Sequence, residues 1–226
     1  MANRPVFVPQ EDGPFVEQLD VEFAWFPGMS VKQKQRSIGS LHEAARASYQ
    51  LTSILEISSK SLDELGVELS AFQLELSMKN GHQLSVENAF QGSKVFRAGG
   101  PYVDLYGVSP KAAKKDPRLR ESGDLKAFSF EGRTWPLRPS TLFYDWLYLN
   151  ALAQNPDMAR CLLGYEAFTD IEFNPKKSVN CQAYSAALYV SLSARELLDE
   201  AMKSPDAFQK LVSKSKYSTQ PSLFFD

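Results

Sequence analysis

Glu87, Gln91 and Lys94 are the residues whose types and spacing point most directly to chemistry. On a helix, at about 100° per residue, they fall within roughly 60° of one another and project from one face. A carboxylate, an amide and an ammonium are thereby aligned within Leu84-Ser85-Val86-Glu87-Asn88-Ala89-Phe90-Gln91-Gly92-Ser93-Lys94-Val95-Phe96. Val86 and Phe90 flank this stripe while Ala89 and Phe96 lie on the far face, so the helix is expected to be covered nearly all round. Held away from water, such groups shift their pKa values toward those that acid-base and nucleophilic catalysis require. The same pattern also fits a mutually satisfied buried Glu/Lys pair or a solvated helix face.

The elements that must position this stripe follow from periodicity. Val6 to Val8 and Val21 to Trp25 alternate as strands, and Pro27-Gly28 ends the second. Ser30 is placed to cap a helix running to about Ser48, with Ile38, Leu41 and Ala45 inward and Lys32, Lys34, Arg36 and Arg46 outside. Those cations suit a nucleic-acid backbone, a partner or plain solvation. Ile54 to Ile57 reads as a strand that ends in the turn Ser58-Ser59-Lys60-Ser61, whose hydroxyls and cation suit phosphate or ribose as well as ordinary turn chemistry. Phe72 to Leu76 alternates as a strand, Asn80-Gly81 supplies a hairpin turn, and Ser85 is the expected N-cap of the central helix.

Downstream, Ala98-Gly99-Gly100-Pro101 breaks the chain before Tyr102-Val103-Asp104-Leu105-Tyr106, where Tyr102 or Tyr106 could stack on a base. Lys111, Lys114, Lys115, Arg118 and Arg120 form the best sequence candidate for gripping a nucleic-acid backbone, a mobile solvated loop being the alternative. Phe128 to Trp135 reads as strand and turn. A helix from about Leu142 to Ala153 is hydrophobic all round, so its Asp145 must be paired or stand at a cavity wall. Pro156 starts another helix. Thr169 to Phe173 alternates, placing Asp170 and Glu172 on one face of a strand. Pro175-Lys176-Lys177-Ser178-Val179-Asn180 then leads into an Ala-rich helix whose start suits a pyrophosphate, or is simply capped by Ser178 or Asn180. Ser204-Pro205 opens a last short helix, and Lys214 to Pro221 has the composition of a tail.

A net charge of -2 leaves no global basic field, so any nucleic-acid contact must be local. Two cysteines without CxxC spacing, Cys161 and Cys181, are expected as reduced thiols, and His42 and His82 do not supply a His-rich zinc site. No apolar run reaches the length of a membrane span and the start is unlike a signal peptide, so a cytoplasmic protein without membrane partner, metal or cofactor is expected. The fold expected is α+β, a mainly helical single domain around small antiparallel strands, with residues 1–205 as the domain and 206–226 as a C-terminal helix and tail.

Leu69-Ser70-Ala71-Phe72, the Asn80-Gly81 turn and Glu87-Asn88-Ala89-Phe90-Gln91-Gly92-Ser93-Lys94 resemble the signature of the NADAR family. Ala71 stands where that signature has Asn, and Asn88 where it has His. Glu56 to Ser61, Gly100 to Leu105, Phe143 to Tyr148 and Phe168 to Pro175 resemble its divergent branch, antitoxins to DarT-type guanine ADP-ribosyltransferases. The resemblance implies removal of ADP-ribose from guanine in DNA, RNA or a nucleotide by N-glycosidic hydrolysis. ADP-ribose would be the product, and the DarT-type toxin a possible contact. With this resemblance, Glu87 is expected as general acid/base or electrostatic stabiliser, Lys94 as covalent nucleophile if desolvation lowers its pKa or otherwise as a cation for a hydroxyl or phosphate, and Glu172 for ribose hydroxyls or water. Substrate contacts fall to Ser58, Ser59, Lys60, Ser70, Phe72, Gln91, Tyr102, Asp104, Trp135, Asp145, Asp170 and Asn180. Two alternatives share these residues: an N-glycosidase of riboflavin-pathway intermediates, and a module that binds ADP-ribose or the toxin without cleavage.

Overall fold

The computed structural model describes residues 1–176 and 178–214, and its α+β character matches the expectation. Lys177 and the tail from Ser215 lie outside the described residues. The chain divides into two compact units, Ala71–Pro156 being inserted between Met1–Ser70 and the stretch that begins at Asp157.

The discontinuous unit begins with β1 (Ala2–Pro9) and β2 (Val16–Phe23), an antiparallel pair in which Val6 faces Leu19 and Ala2 faces Phe23. Strand β2 starts earlier than its alternation suggested and ends before Trp25. Helix α1 (Val31–Tyr49) follows, Ser30 Oγ accepting the Gln33 N–H at 3.3 Å as its cap. Its Ile38, Leu41 and Ala45 meet Val6, Val21, Phe23 and Ile54 in one buried cluster, as the apolar stripe requires. Then come β3 (Ile54–Glu56) and α2 (Glu64–Glu68), the latter capped by Asp63.

In the inserted unit, β4 (Glu75–Ser77) and β5 (Gln83–Ser85) form the hairpin, its turn made possible by Gly81 at φ +82°. Phe72 and Gln73 belong to the preceding turn rather than to the strand. Helix α3 (Val86–Gly92) ends sooner than expected, and Lys94–Phe96 is strand β6. The reason lies in the partner: Ser93 C=O accepts the Ser129 N–H at 2.7 Å, which draws the chain out of the helix into pairing with β7. A 3-10 turn (Val103–Gly107), α4 (Pro110–Lys115) and α5 (Arg118–Glu121) give the basic stretch helical order. Strands β7 (Leu125–Phe130) and β8 (Arg133–Trp135) precede α6 (Leu142–Gln154). Phe143 is the hub of this unit, its ring centroid 4.7 Å from Phe128, 5.3 Å from Trp135 and 6.3 Å from Phe90.

After α7 (Pro156–Leu162) the chain resumes the first unit with β9 (Ala167–Thr169), α8 (Gln182–Ala194), α9 (Leu198–Met202) and α10 (Pro205–Lys214). Strand β9 lies between β1 and β3, antiparallel to the former and parallel to the latter. The strand predicted at Thr169 to Phe173 therefore sits earlier, and Asp170 and Glu172 do not share a strand face. Asp170 Oδ1 accepts the backbone N–H groups of Glu172 at 2.9 Å and Phe173 at 3.2 Å, bending the chain into a turn. Cys181, not Ser178 or Asn180, is the N-cap residue of α8. Among the described residues no helix is long and apolar enough to cross a membrane.

Candidate functional site

Helix α3 is set in place by the turn that precedes its hairpin. The Glu87 N–H donates to Ala71 C=O at 2.8 Å and the Val86 N–H to Leu74 C=O at 2.9 Å, so donors left open at the helix start are taken by that turn. Ser85 caps α3 by accepting the Asn88 N–H at 3.1 Å. Gly92 closes the helix where nothing larger fits, since a Cβ there would lie 2.4 Å from the Tyr106 ring. Every residue of this short helix is buried.

Within that setting the three polar side chains form a hydrogen-bonded chain. Gln91 Nε2 donates to Glu87 Oε1 at 2.9 Å, and Lys94 Nζ donates to Gln91 Oε1 at 2.7 Å. The expected stripe is thus realised although Lys94 stands on β6 rather than on the helix. Its Nζ lies 4.7 Å from the centroid of Phe90. Burial lowers the Lys94 pKa to about 8; Glu87 opposes the shift and Lys114 reinforces it. Lys114, on α4, lies 3.7 Å from Glu87 Oε1 and 5.1 Å from the Phe72 ring centroid. The group can therefore supply an unprotonated amine near neutral pH beside a carboxylate.

Asn88, one of the two departures from the NADAR signature, takes no part in this chain of groups. Its Nδ2 donates to Leu105 C=O at 2.6 Å and Val108 C=O at 2.9 Å, anchoring the segment that leads into α4. Asp104 is exposed and paired with Arg118 at 2.6 Å, whose guanidinium also covers the Tyr102 ring at 4.4 Å. Trp135 and Asp145 are interior residues, Trp135 lying 5.6 Å from Trp146 in the aromatic core.

In the discontinuous unit, Ser58 and Asp170 lie by a carboxylate absent from the residues singled out for a role. Glu56 is buried on β3 and accepts Ser58 Oγ at 2.7 Å, Thr169 Oγ1 at 2.7 Å and the Ile171 N–H at 2.8 Å. With Thr169 donating to Glu56, His42 Nε2, 2.8 Å away, can donate to the hydroxyl, the Nε2–H tautomer doing so when the ring is neutral. Burial lowers the His42 pKa to about 4, in keeping with that form. Burial and then Glu56 raise Asp170 to about 8, and burial raises Glu56 as well, so this buried pair favours holding a proton. The signal in the sequence was an acid inside the apolar run Ile54-Leu55-Glu56-Ile57. Ser59 is exposed and accepts from Lys60 Nζ at 3.1 Å. Ser70 Oγ and Asn180 Oδ1 are buried and have no hydrogen-bond partner among the described residues. Glu172 is exposed and ion-paired with Lys34 Nζ at 3.1 Å.

No curated protein matches the chain. Residues 2–222 match the family model described as the DarT1-associated NADAR antitoxin, and the chain belongs to that family.

Proposed function

We propose that this antitoxin hydrolyses the N-glycosidic bond between ADP-ribose and guanine in nucleic acid, reversing modification by a DarT-type toxin. The observation that carries this reading is the chain Glu87-Gln91-Lys94, in which burial brings the lysine close to half deprotonated at pH 8. A site that only binds ADP-ribose has no use for an amine poised in this way.

The unprotonated Lys94 amine attacks the anomeric carbon of the ribose attached to guanine. The carbon-nitrogen bond breaks and its electron pair leaves with the guanine nitrogen. A proton released by the newly bonded amine reaches that nitrogen, with Glu87 as carrier. Water then attacks the same carbon, Glu87 takes its proton and returns it to the departing amine, and free ADP-ribose results. Positive charge that builds on the ribose is stabilised by the Glu87 carboxylate. Gln91 holds both partners in register by donating to one and accepting from the other.

The test is incubation of the protein with an oligonucleotide ADP-ribosylated on guanine, following release of ADP-ribose by mass spectrometry. Wild type releases it. Glu87→Gln and Lys94→Ala, confirmed as folded, lose at least a hundredfold in rate, about 3 kcal/mol of transition-state stabilisation. A Glu172→Gln arm measures what the exposed acid adds. Tight retention of the modified strand without release would replace hydrolysis by binding.

A further inference from the structure

The chain has two cation-rich stretches, and their surroundings differ. Between Lys111 and Arg120, Lys114 is met by Glu87 and Arg118 by both Asp104 and Asp116, at 2.6 and 2.9 Å for the latter two. Two of the five cations there are thus met by carboxylates of the chain. Between Glu22 and Glu43 the sequence carries Lys32, Lys34 and Arg36 and no acid at all. The first turn of the 19-residue helix α1 likewise has no acidic residue, which leaves its positive end unopposed within the helix.

Aromatic rings lie among these cations. Trp25 and Phe26 are half-buried in the segment entering α1, and Met29 beside them is 95% exposed. The Arg36 guanidinium lies 4.0 Å from the Phe26 centroid, while Arg4 and Lys34 lie 5.4 and 5.0 Å from that of Trp25. Lys34 is paired with Glu172 and Arg36 donates to Gln33, but Lys32 and Arg36 remain exposed. Arg4 Nε has no hydrogen-bond partner among the described residues. Rings interleaved with cations offer base stacking and phosphate neutralisation on one face, a pairing that suits unstacked bases rather than a duplex.

We propose that this face, formed by Arg4, Trp25, Phe26, Lys32 and Arg36, holds a single-stranded nucleic acid. The proposal deepens the preceding reading, since it rests on the substrate base being part of a strand. Lys32 and Arg36 contact phosphates and Phe26 meets a base.

The probe is an unmodified, fluorescently labelled DNA strand of about 15 nucleotides, which spans one such surface. It has no bond to cleave, so the result is independent of hydrolysis. Binding is followed by anisotropy over a salt series. Wild type binds at low salt, and Lys32→Glu/Arg36→Glu weakens binding and flattens the logarithmic salt slope by roughly 1.4, two phosphates' worth. Phe26→Ala weakens binding about tenfold with the slope unchanged. Lys111→Glu/Arg120→Glu changes little. The proposal is overturned by no binding to wild type at low salt, by equal affinity for the matching duplex, or by loss of binding in the 111/120 variant alone.

Discussion

Lys114 Nζ lies 3.7 Å from Glu87 Oε1, so a second amine shares the carboxylate that acts on Lys94. Lys114 is a like charge that helps hold Lys94 down near 8. Replacing it in Lys114→Met removes that repulsion, and the Lys94 pKa rises. The alkaline-rising limb of the pH-rate profile then moves upward by about half a unit or more, while Lys114→Arg keeps it in place. An unmoved limb in Lys114→Met would mean that water screens the half-exposed lysine completely.

The low Lys94 pKa also makes the site a stability liability. A lysine lowered from 10.5 to about 8 binds fewer protons folded than unfolded between those values, so its contribution to stability improves as pH rises through that window. Below about 8 the full penalty of the buried ammonium is present. Lys94→Met is therefore expected to raise Tm at pH 7 by about 2–5 °C, with the difference shrinking toward pH 10.5. Calorimetry at the two pH values reads this directly. A lower Tm at pH 7 would show that the bond to Gln91 outweighs the desolvation.

Asp170 has the opposite sign. Its carboxyl is raised from 3.8 to about 8 by burial and by Glu56, so the folded form holds a proton that the unfolded chain loses across that range. Stability from this group is fully present below about 4 and is lost as pH rises through 8. Asp170→Asn keeps an oxygen for the Glu172 and Phe173 N–H groups. In denaturant titrations it should match wild type at pH 3 within about 0.5 kcal/mol and exceed it at pH 8.5. A variant that loses stability at both pH values would point to a packing role for Asp170 instead.

How much of this was legible in sequence depends on how local the cause is. Ser30 and Ser85 as caps, the Asn80-Gly81 turn and the stripe on α1 follow from short-range chemistry and were readable. The end of α3 was not, because strand pairing through Ser93 competes with helix continuation and is invisible to periodicity. Glu87, Gln91 and Lys94 were singled out by helix spacing, which places Glu87 and Gln91 together on α3, whereas Lys94 joins them from β6. Glu56 escaped because Ser58 is near it in sequence but Thr169 and Ile171 are not. Lys114 was read as a cation for a nucleic-acid backbone and not as a partner of Glu87, since only the packing of α4 brings the two together.

Asn88 gives a prediction about the inserted unit itself. Its amide is the shared donor for the Leu105 and Val108 carbonyls. Asn88→Ala leaves both without that donor and should cost about 2–3 kcal/mol in a urea titration. It should also lower the hydrolysis rate more than Lys114→Met, because the approach to α4 is released along with its lysine. Unchanged stability would mean that water replaces the amide.

The place of β9 between β1 and β3 has a consequence for synthesis. Thr169 is 113 residues beyond Glu56, and the whole inserted unit is made in the interval. At about 5–20 residues per second on the ribosome, β3 waits roughly 5–20 s for the strand that joins it to the amino-terminal hairpin. A nascent chain interrupted before Ala167 can complete the inserted unit's own sheets but leaves β1 and β3 with open edges, the form most exposed to proteases and to aggregation.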